Sequence, residues 1–323
     1  MAATNRIHAF LAIIFLSFII ASGTVLSGQE PPNPYTINVR VGLAVLPVSV
    51  TDHKNHRVSG LKKENFHVYE DGRPQTITLF EDKDAPVTVG LVVDNSLSME
   101  PKRPAVIAAA LAFAGSSNPQ DEIFVVNFNQ AIHVELPQGV PFTRNPAELR
   151  SALSNITASG QTALYDAIAV ALDHLKQGTG GKKYLIVVSD GGDDASRHSL
   201  SDTLAMAKSS DAAIYSVAIV NENFTDENPG VLKKLSKATG GEFFSPDSVS
   251  EVVDTLKIIA RDIRQQYTLG YVPDNQAADG KFHSIRVIAS APDRRKLFVR
   301  TRAGYLAPTV APERASVQER HSQ

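Results

Sequence analysis

The chain has 323 residues, 43% hydrophobic and 20% charged, enough for a large buried core and for two or three domains. A formal charge of -2 leaves no basic footprint for nucleic acid, and the absence of cysteine excludes disulfides and a lipid-modified cysteine. The nine histidines show no spacing that suggests a zinc site. Residues 1–23 read as a secretory signal: Arg6, then an apolar run over 9–21, then the small residues Ala21-Ser22-Gly23. This predicts export, to the periplasm or beyond. The same stretch, continued weakly through Val25 and Leu26, barely reaches the ~18 residues of an uncleaved membrane anchor. Residues 24–35, with Pro31-Pro32-Asn33-Pro34, read as a stiff linker.

Residues 36–85 read as a β segment. Ile37, Val39, Val41, Leu43 and Val45 alternate on one face before Leu46, Val48 and Val50 take the opposite phase, which predicts a bulge near 45–47. Runs at 66–70 and 75–80 flank Asp71-Gly72, a hairpin signal.

From residue 86 to 265 the rhythm is strand, helix, strand, helix, the pattern of a mostly parallel sheet covered on both faces. Residues 87–93 are almost wholly apolar and stop at Asp94, as a doubly buried strand would. A helix follows from Pro104 to Ser116, then strands at 123–129 and 132–136. Leu164, Ala167, Ile168, Ala171, Leu172 and Leu175 share one helical face, which sets Thr162 at a helix start, where capping the first turn is its other role. A second buried strand, 184–188, leads to Ser189 and Asp190. Beyond it come a strand at 212–220, a helix at 231–238 closed by Gly240-Gly241, and a last helix opened by Ser248-x-x-Glu251.

Alternate side chains of an extended segment point the same way, so Asp94, Ser96 and Ser98 can aim three hard oxygens at one point. Such donors suit Mg²⁺ or a similar cation. They are equally ordinary turn residues. Thr162 and Asp190 offer two more oxygens from a helix start and a strand end. Asp94-x-Ser96-x-Ser98, Thr162 and Asp190 together resemble the metal-ion-dependent adhesion site of von Willebrand factor type A domains, on the expected kinds of element and in the expected order. The resemblance implies a Rossmann-like α/β fold, and a divalent cation (Mg²⁺, with Mn²⁺ or Ca²⁺ as alternatives) held by those five residues and completed by an acidic group of a partner protein. Leu97 departs from the small residue common at its position.

Residues 266–306 return to β structure, with strands expected at 266–272, 282–289 and 297–305. The stretch from Leu61 to Gly72, Tyr267-Thr268-Leu269-Gly270-Tyr271 and Arg302-Ala303-Gly304-Tyr305 resemble the flanks of a group of exported bacterial proteins called VWFA-related. Neither β segment can bury a full face alone, so they are expected to pack as one small β-sandwich with the α/β domain inserted between its halves. Residues 307–323 are polar, and disorder is expected there.

Other chemistry finds little support. There is no Gly-x-Ser-x-Gly elbow, and Ser96 stands where a phosphoaspartyl mechanism from Asp94 normally needs a second acid. Residues 178–183 fail as a phosphate loop because Lys176 and Lys183 occupy motif positions and a strand follows. Asp193 and Asp194 read as a solvated loop or as charge that recruits a cation. The expectation is an exported binding module and not an enzyme. The competing expectation is an envelope assembly protein that binds through its β-sandwich without metal.

Overall fold

The computed structural model describes residues 42–155, 158–220, 227–274, 279–292 and 296–307. The expected signal, the linker, the first residues of the opening β segment and the tail beyond 307 lie outside the described residues. Among the described residues no helix is long and apolar enough to cross a membrane.

The described residues open with β1 (Ala44–Thr51) and β2 (Phe66–Glu70). Asp71 and Gly72, at φ 48° and 79°, make the tight turn into β3 (Arg73–Gln75). The second arm of this hairpin is not one strand. It breaks at Thr76, so β3 stays beside β2 while β4 (Ile77–Glu81) crosses to another sheet.

The α/β part follows as β5 (Thr88–Asp94), α1 (Arg103–Ser116), β6 (Glu122–Phe128), β7 (Ile132–Val134), α2 (Pro146–Ser154), α3 (Leu164–Leu175), β8 (Lys183–Ser189), α4 (Leu200–Ser209), β9 (Ala213–Ala218), α5 (Pro229–Thr239), β10 (Phe243–Phe244) and α6 (Val252–Arg264). The strands lie in the order β10-β9-β8-β5-β6-β7, all parallel except edge strand β7. Alternation along β5 sends Val89, Leu91 and Val93 to the face covered by α1, α2 and α6, and Val92 to the face covered by α3, α4 and α5. Strand β6 lies on one side of β5 and β8 on the other, so the chain changes direction between β5 and β8. Open α/β sheets take ligands outside the carboxyl ends of their strands at such a switch point.

The chain returns through β11 (Tyr267–Tyr271), β12 (Phe282–Ala289), β13 (Phe298–Arg300) and β14 (Gly304–Leu306). The expected strand at 297–305 is two short strands in different sheets. One sheet runs β13-β1-β11-β4 and the other β14-β12-β2-β3, so both interleave strands from before and after the α/β part. Leu46, Val48, Leu269 and Tyr271 of the first sheet and Val68, Ile285 and Val287 of the second share one apolar core. The bulge expected at 45–47 is absent: β1 pairs with β11 in unbroken register, Ala44 opposite Tyr271 through Val48 opposite Tyr267. Its change of phase reflects burial on both faces, with Leu46, Val48 and Val50 in the apolar core while Ser49, 2% exposed, accepts hydrogen bonds from Gln266 and Arg300. The register shift falls instead at Gly270/Tyr271, between β11 and β4.

A buried polar cluster joins the α/β part to this two-sheet unit. Arg300 of β13 donates to Asp262 of α6 (2.6 Å) and to Glu242 (2.9 Å), and Arg57 also pairs with Asp262. The Tyr184 hydroxyl of β8 donates to Gln266 at 2.8 Å, and Gln266 donates to the Tyr215 hydroxyl at 2.7 Å. Ser248 does not cap the last helix by its side chain. Its hydroxyl pairs with Ser250, while Glu251 accepts the N–H of Asp247.

Candidate metal site

Every residue of β5 is buried, and its last carboxylate, Asp94, is only 2% exposed. A doubly covered strand can end in a charge only where other groups meet it. The Ser96 N–H donates to Asp94 Oδ1 at 2.8 Å, and the Ser189 hydroxyl donates to Asp94 Oδ2 at 2.6 Å. Ser96 Oγ lies 3.2 Å from Ser98 Oγ, and Ser98 donates to Asp190 Oδ2 at 2.5 Å. One run of hydrogen bonds thus links Asp94, Ser96, Ser98 and Asp190 across the gap between the ends of β5 and β8.

The loop holding this run is fixed from below by Asn95. Its Nδ2 donates to Val93 O and Asn127 Oδ1, both at 3.1 Å, and its Oδ1 accepts from Arg103 Nε at 3.0 Å. A short 3-10 helix, Leu97–Lys102, then buries Met99 and leaves Leu97 57% exposed at the rim. On the other side, Asp190 Oδ1 accepts the Gly192 N–H at 3.1 Å. Gly191 takes φ 86°, and a Cβ there would meet Asn228 O at 2.3 Å, so glycine is required twice over.

Thr162 lies two residues before α3 and is tied through its backbone to the loop after β8. Its N–H donates to Asp194 Oδ1 at 2.7 Å, and its carbonyl accepts from Asp194 N and Ala195 N at 3.0 and 3.1 Å. Hydrogen bonds among the described residues do not link its hydroxyl to the other four side chains. Nor does that hydroxyl cap α3. The first-turn N–H groups of Tyr165 and Asp166 are taken by Asp193 Oδ1 and Ser196 Oγ, each at 3.1 Å. Asp193, half-buried, and Asp194, exposed as a solvated loop residue would be, both fasten the start of α3 to the loop after β8. Sequence reasoning missed Ser189, Asn95 and this capping; the Ser-Asp-Gly-Gly run at 189–192 was the available signal for Ser189.

Burial pushes the Asp94 carboxyl up to about 6; the Ser189 hydroxyl pulls the other way, and the neighbouring Asp190 charge adds to the rise. Among the described residues no ion pair neutralises Asp94 or Asp190. Two buried acids, joined by serine hydroxyls and not ion-paired among the described residues, form an oxygen-only donor set that fits a hard divalent ion.

The fold and these strand ends define an open α/β domain with an oxygen-lined crest at its switch point. The family model for the von Willebrand factor type A domain matches residues 89–192, which include all five candidate ligands, and the chain carries a domain of that fold. A structure described as von Willebrand factor type A from Catenulispora acidiphila is similar at 12% identity and a TM-score of 0.50, over 83% of this chain and 75% of that one. A conserved hypothetical protein BatB from Bacteroides thetaiotaomicron is similar at 17% identity and a TM-score of 0.45, over 55% of this chain and 97% of that one. The vWF domain of the type V pili tip protein Mfa5 from Porphyromonas gingivalis matches at 15% identity and a TM-score of 0.46, over 56% and 95%. No curated protein matches the chain.

Proposed function

We propose that this chain is an exported protein-binding module of the adhesion type, in which Asp94, Ser96, Ser98, Thr162 and Asp190 hold a divalent cation and present it to an acidic group of a partner protein. In this reading residues 86–265 are the binding domain, and residues 36–85 and 266–306 form the β-sandwich that carries it. The observation that carries the reading is the continuous hydrogen-bonded run from Asp94 through Ser96 and Ser98 to Asp190 at the β5–β8 switch point.

Magnesium is favoured by the donor class, with manganese or calcium as alternatives. A bound cation would supply an oxygen-seeking position that an Asp or Glu of the partner fills. Three of the five ligands are uncharged hydroxyls, so an incoming carboxylate gains a strong contact that a neutral side chain does not. Asn95 and Gly191 keep the two loops in place before any partner arrives, which lowers the ordering cost of binding.

Calorimetric titration of Mg²⁺ into the chain tests this: Asp94→Ala and Thr162→Ala should each abolish the binding heat, and unchanged affinity in both variants overturns the assignment. Capture of partners from the native envelope should disappear with EDTA. Capture that is indifferent to EDTA would favour assembly through the two-sheet unit instead.

A further inference from the structure

A second group of ligand-type side chains lies in the two-sheet unit. Glu70 ends β2, Asp71 begins the turn after it, and His283 is the second residue of β12. The antiparallel pairing of β2 with β12, Glu70 opposite Ile285, brings them together. Glu70 is 4% exposed and His283 5%. His283 Nδ1 lies 2.8 Å from Asp71 Oδ2 and 3.9 Å from Glu70 Oε1, while Nε2 lies 3.3 Å from Asp279 Oδ1. The Ser284 N–H and hydroxyl both donate to Asp71 Oδ1, at 2.8 and 3.0 Å, which turns Oδ2 toward the imidazole. The Tyr305 ring stacks on His283 with centroids 5.4 Å apart and fixes its plane.

Glu70 is short of donors. The Tyr271 hydroxyl serves Oε2 at 2.5 Å, but among the described residues Oε1 has only the Tyr305 hydroxyl at 3.4 Å, and that single O–H is equally far from Oε2. A buried carboxylate oxygen left with half of one long hydrogen bond calls for another partner. Charge points the same way. Even with the imidazole protonated, Glu70, Asp71 and His283 sum to a net negative charge. Asp279 adds more, and its counter-ion Lys281 sits outside, 4.0 Å away. The Arg302 guanidinium is spent on the carbonyls of Gly304, Lys208 and Ser210.

We propose that Glu70, Asp71 and His283 form a binding site for a first-row divalent metal of the zinc class, with Asp279 orienting the histidine. Adjacent ligand atoms on tetrahedral zinc lie roughly 3.3 Å apart, so the separations of 2.8 and 3.9 Å each need to change by only about half an ångström. With Nδ1 deprotonated, a divalent ion brings the trio to neutrality and fills the gap at Glu70 Oε1. The Nε2–H then donates to Asp279, the carboxylate-behind-histidine arrangement that orients ligating imidazoles. An imidazole with two carboxylates selects zinc, cobalt or nickel over magnesium, opposite to the oxygen-only crest of the α/β part. The metal would cross-link strands on either side of the inserted domain.

The test is calorimetric titration of Zn²⁺ alone into the full chain carrying Asp94→Ala, which removes the other candidate site. One zinc should bind, Glu70→Gln and His283→Gln should abolish that binding, and Asp279→Asn should weaken it about 10- to 100-fold. Zinc affinity unchanged by Glu70→Gln and Asp279→Asn overturns the proposal. Should His283→Gln fail to fold, Co²⁺ provides a second reading: a visible d–d spectrum of a nitrogen-ligated, low-symmetry ion in the parent, lost in Glu70→Gln. No such spectrum in the parent overturns it equally.

Discussion

In the α/β part, four of the five candidate ligands come from the ends of neighbouring parallel strands, on loops a few residues long. In the two-sheet unit they come from strands far apart in the chain, Asp71 and His283 being 212 positions apart. The first arrangement leaves a local trace, a carboxylate and hydroxyls at alternate positions after an apolar run. The second leaves none, because a β pairing is written in two distant segments and neither names its partner. The donor chemistry differs as well: oxygen alone at the crest, nitrogen with oxygen in the two-sheet unit.

The largest effect should come from Asp94→Ala, which removes one candidate ligand and with it all measurable Mg²⁺ binding; circular dichroism should show both regions still folded. A variant that lost the two-sheet unit as well would break the comparison. Next, Arg300→Met cuts the polar cluster joining the regions. Breaking a buried pair costs roughly 3–5 kcal/mol, and because Arg57 still pairs with Asp262 a loss of about 2–3 kcal/mol is expected in urea unfolding. A loss below about 0.5 kcal/mol would mean that the two regions are held together by something else.

Gly90→Ala probes the α/β core alone. A Cβ there would lie 2.4 Å from Phe124 Cζ and 2.6 Å from Leu185 Cδ2, so overpacking should cost about 1–3 kcal/mol. The smallest effect is Asp193→Ala, which removes an acceptor from the first turn of α3 and should cost about 1 kcal/mol. A neutral result there would return Asp193 to the status of a solvated loop residue.

Much of the α/β part was legible because its periodicity is strong. The six apolar positions predicted for α3 are its six buried ones, and Asp94 and Asp190 stand where their strands end. Helix α4 went unseen because it fully buries only Thr203 and Ala207, and α2 because its stripe of Leu149, Ala152 and Leu153 spans little more than one turn. The capping pattern at Ser248 misled, since its hydroxyl found Ser250 rather than a backbone N–H. In the two-sheet unit, the break at Thr76 and the division of 297–305 into β13 and β14 depend on which sheet each piece joins, a choice made by tertiary packing. At the crest, residue types were readable, but the bridging role of Ser189 was not, because it depends on the lateral spacing of β5 and β8.

The pairing of β4 with β11 has a mechanical consequence. Phe80 lies opposite Leu269 and Leu79 opposite Gly270, so the chain leaves for the α/β part and returns from it through adjacent, antiparallel strands. Tension applied between Ala44 and Leu306 passes directly from β1 to β11 and β13 through their hydrogen bonds, and the β4–β11 pairing closes the ends of the inserted α/β part beside that path. The crest around Asp94 therefore stays unloaded by a pull on those two ends until the strands shear apart.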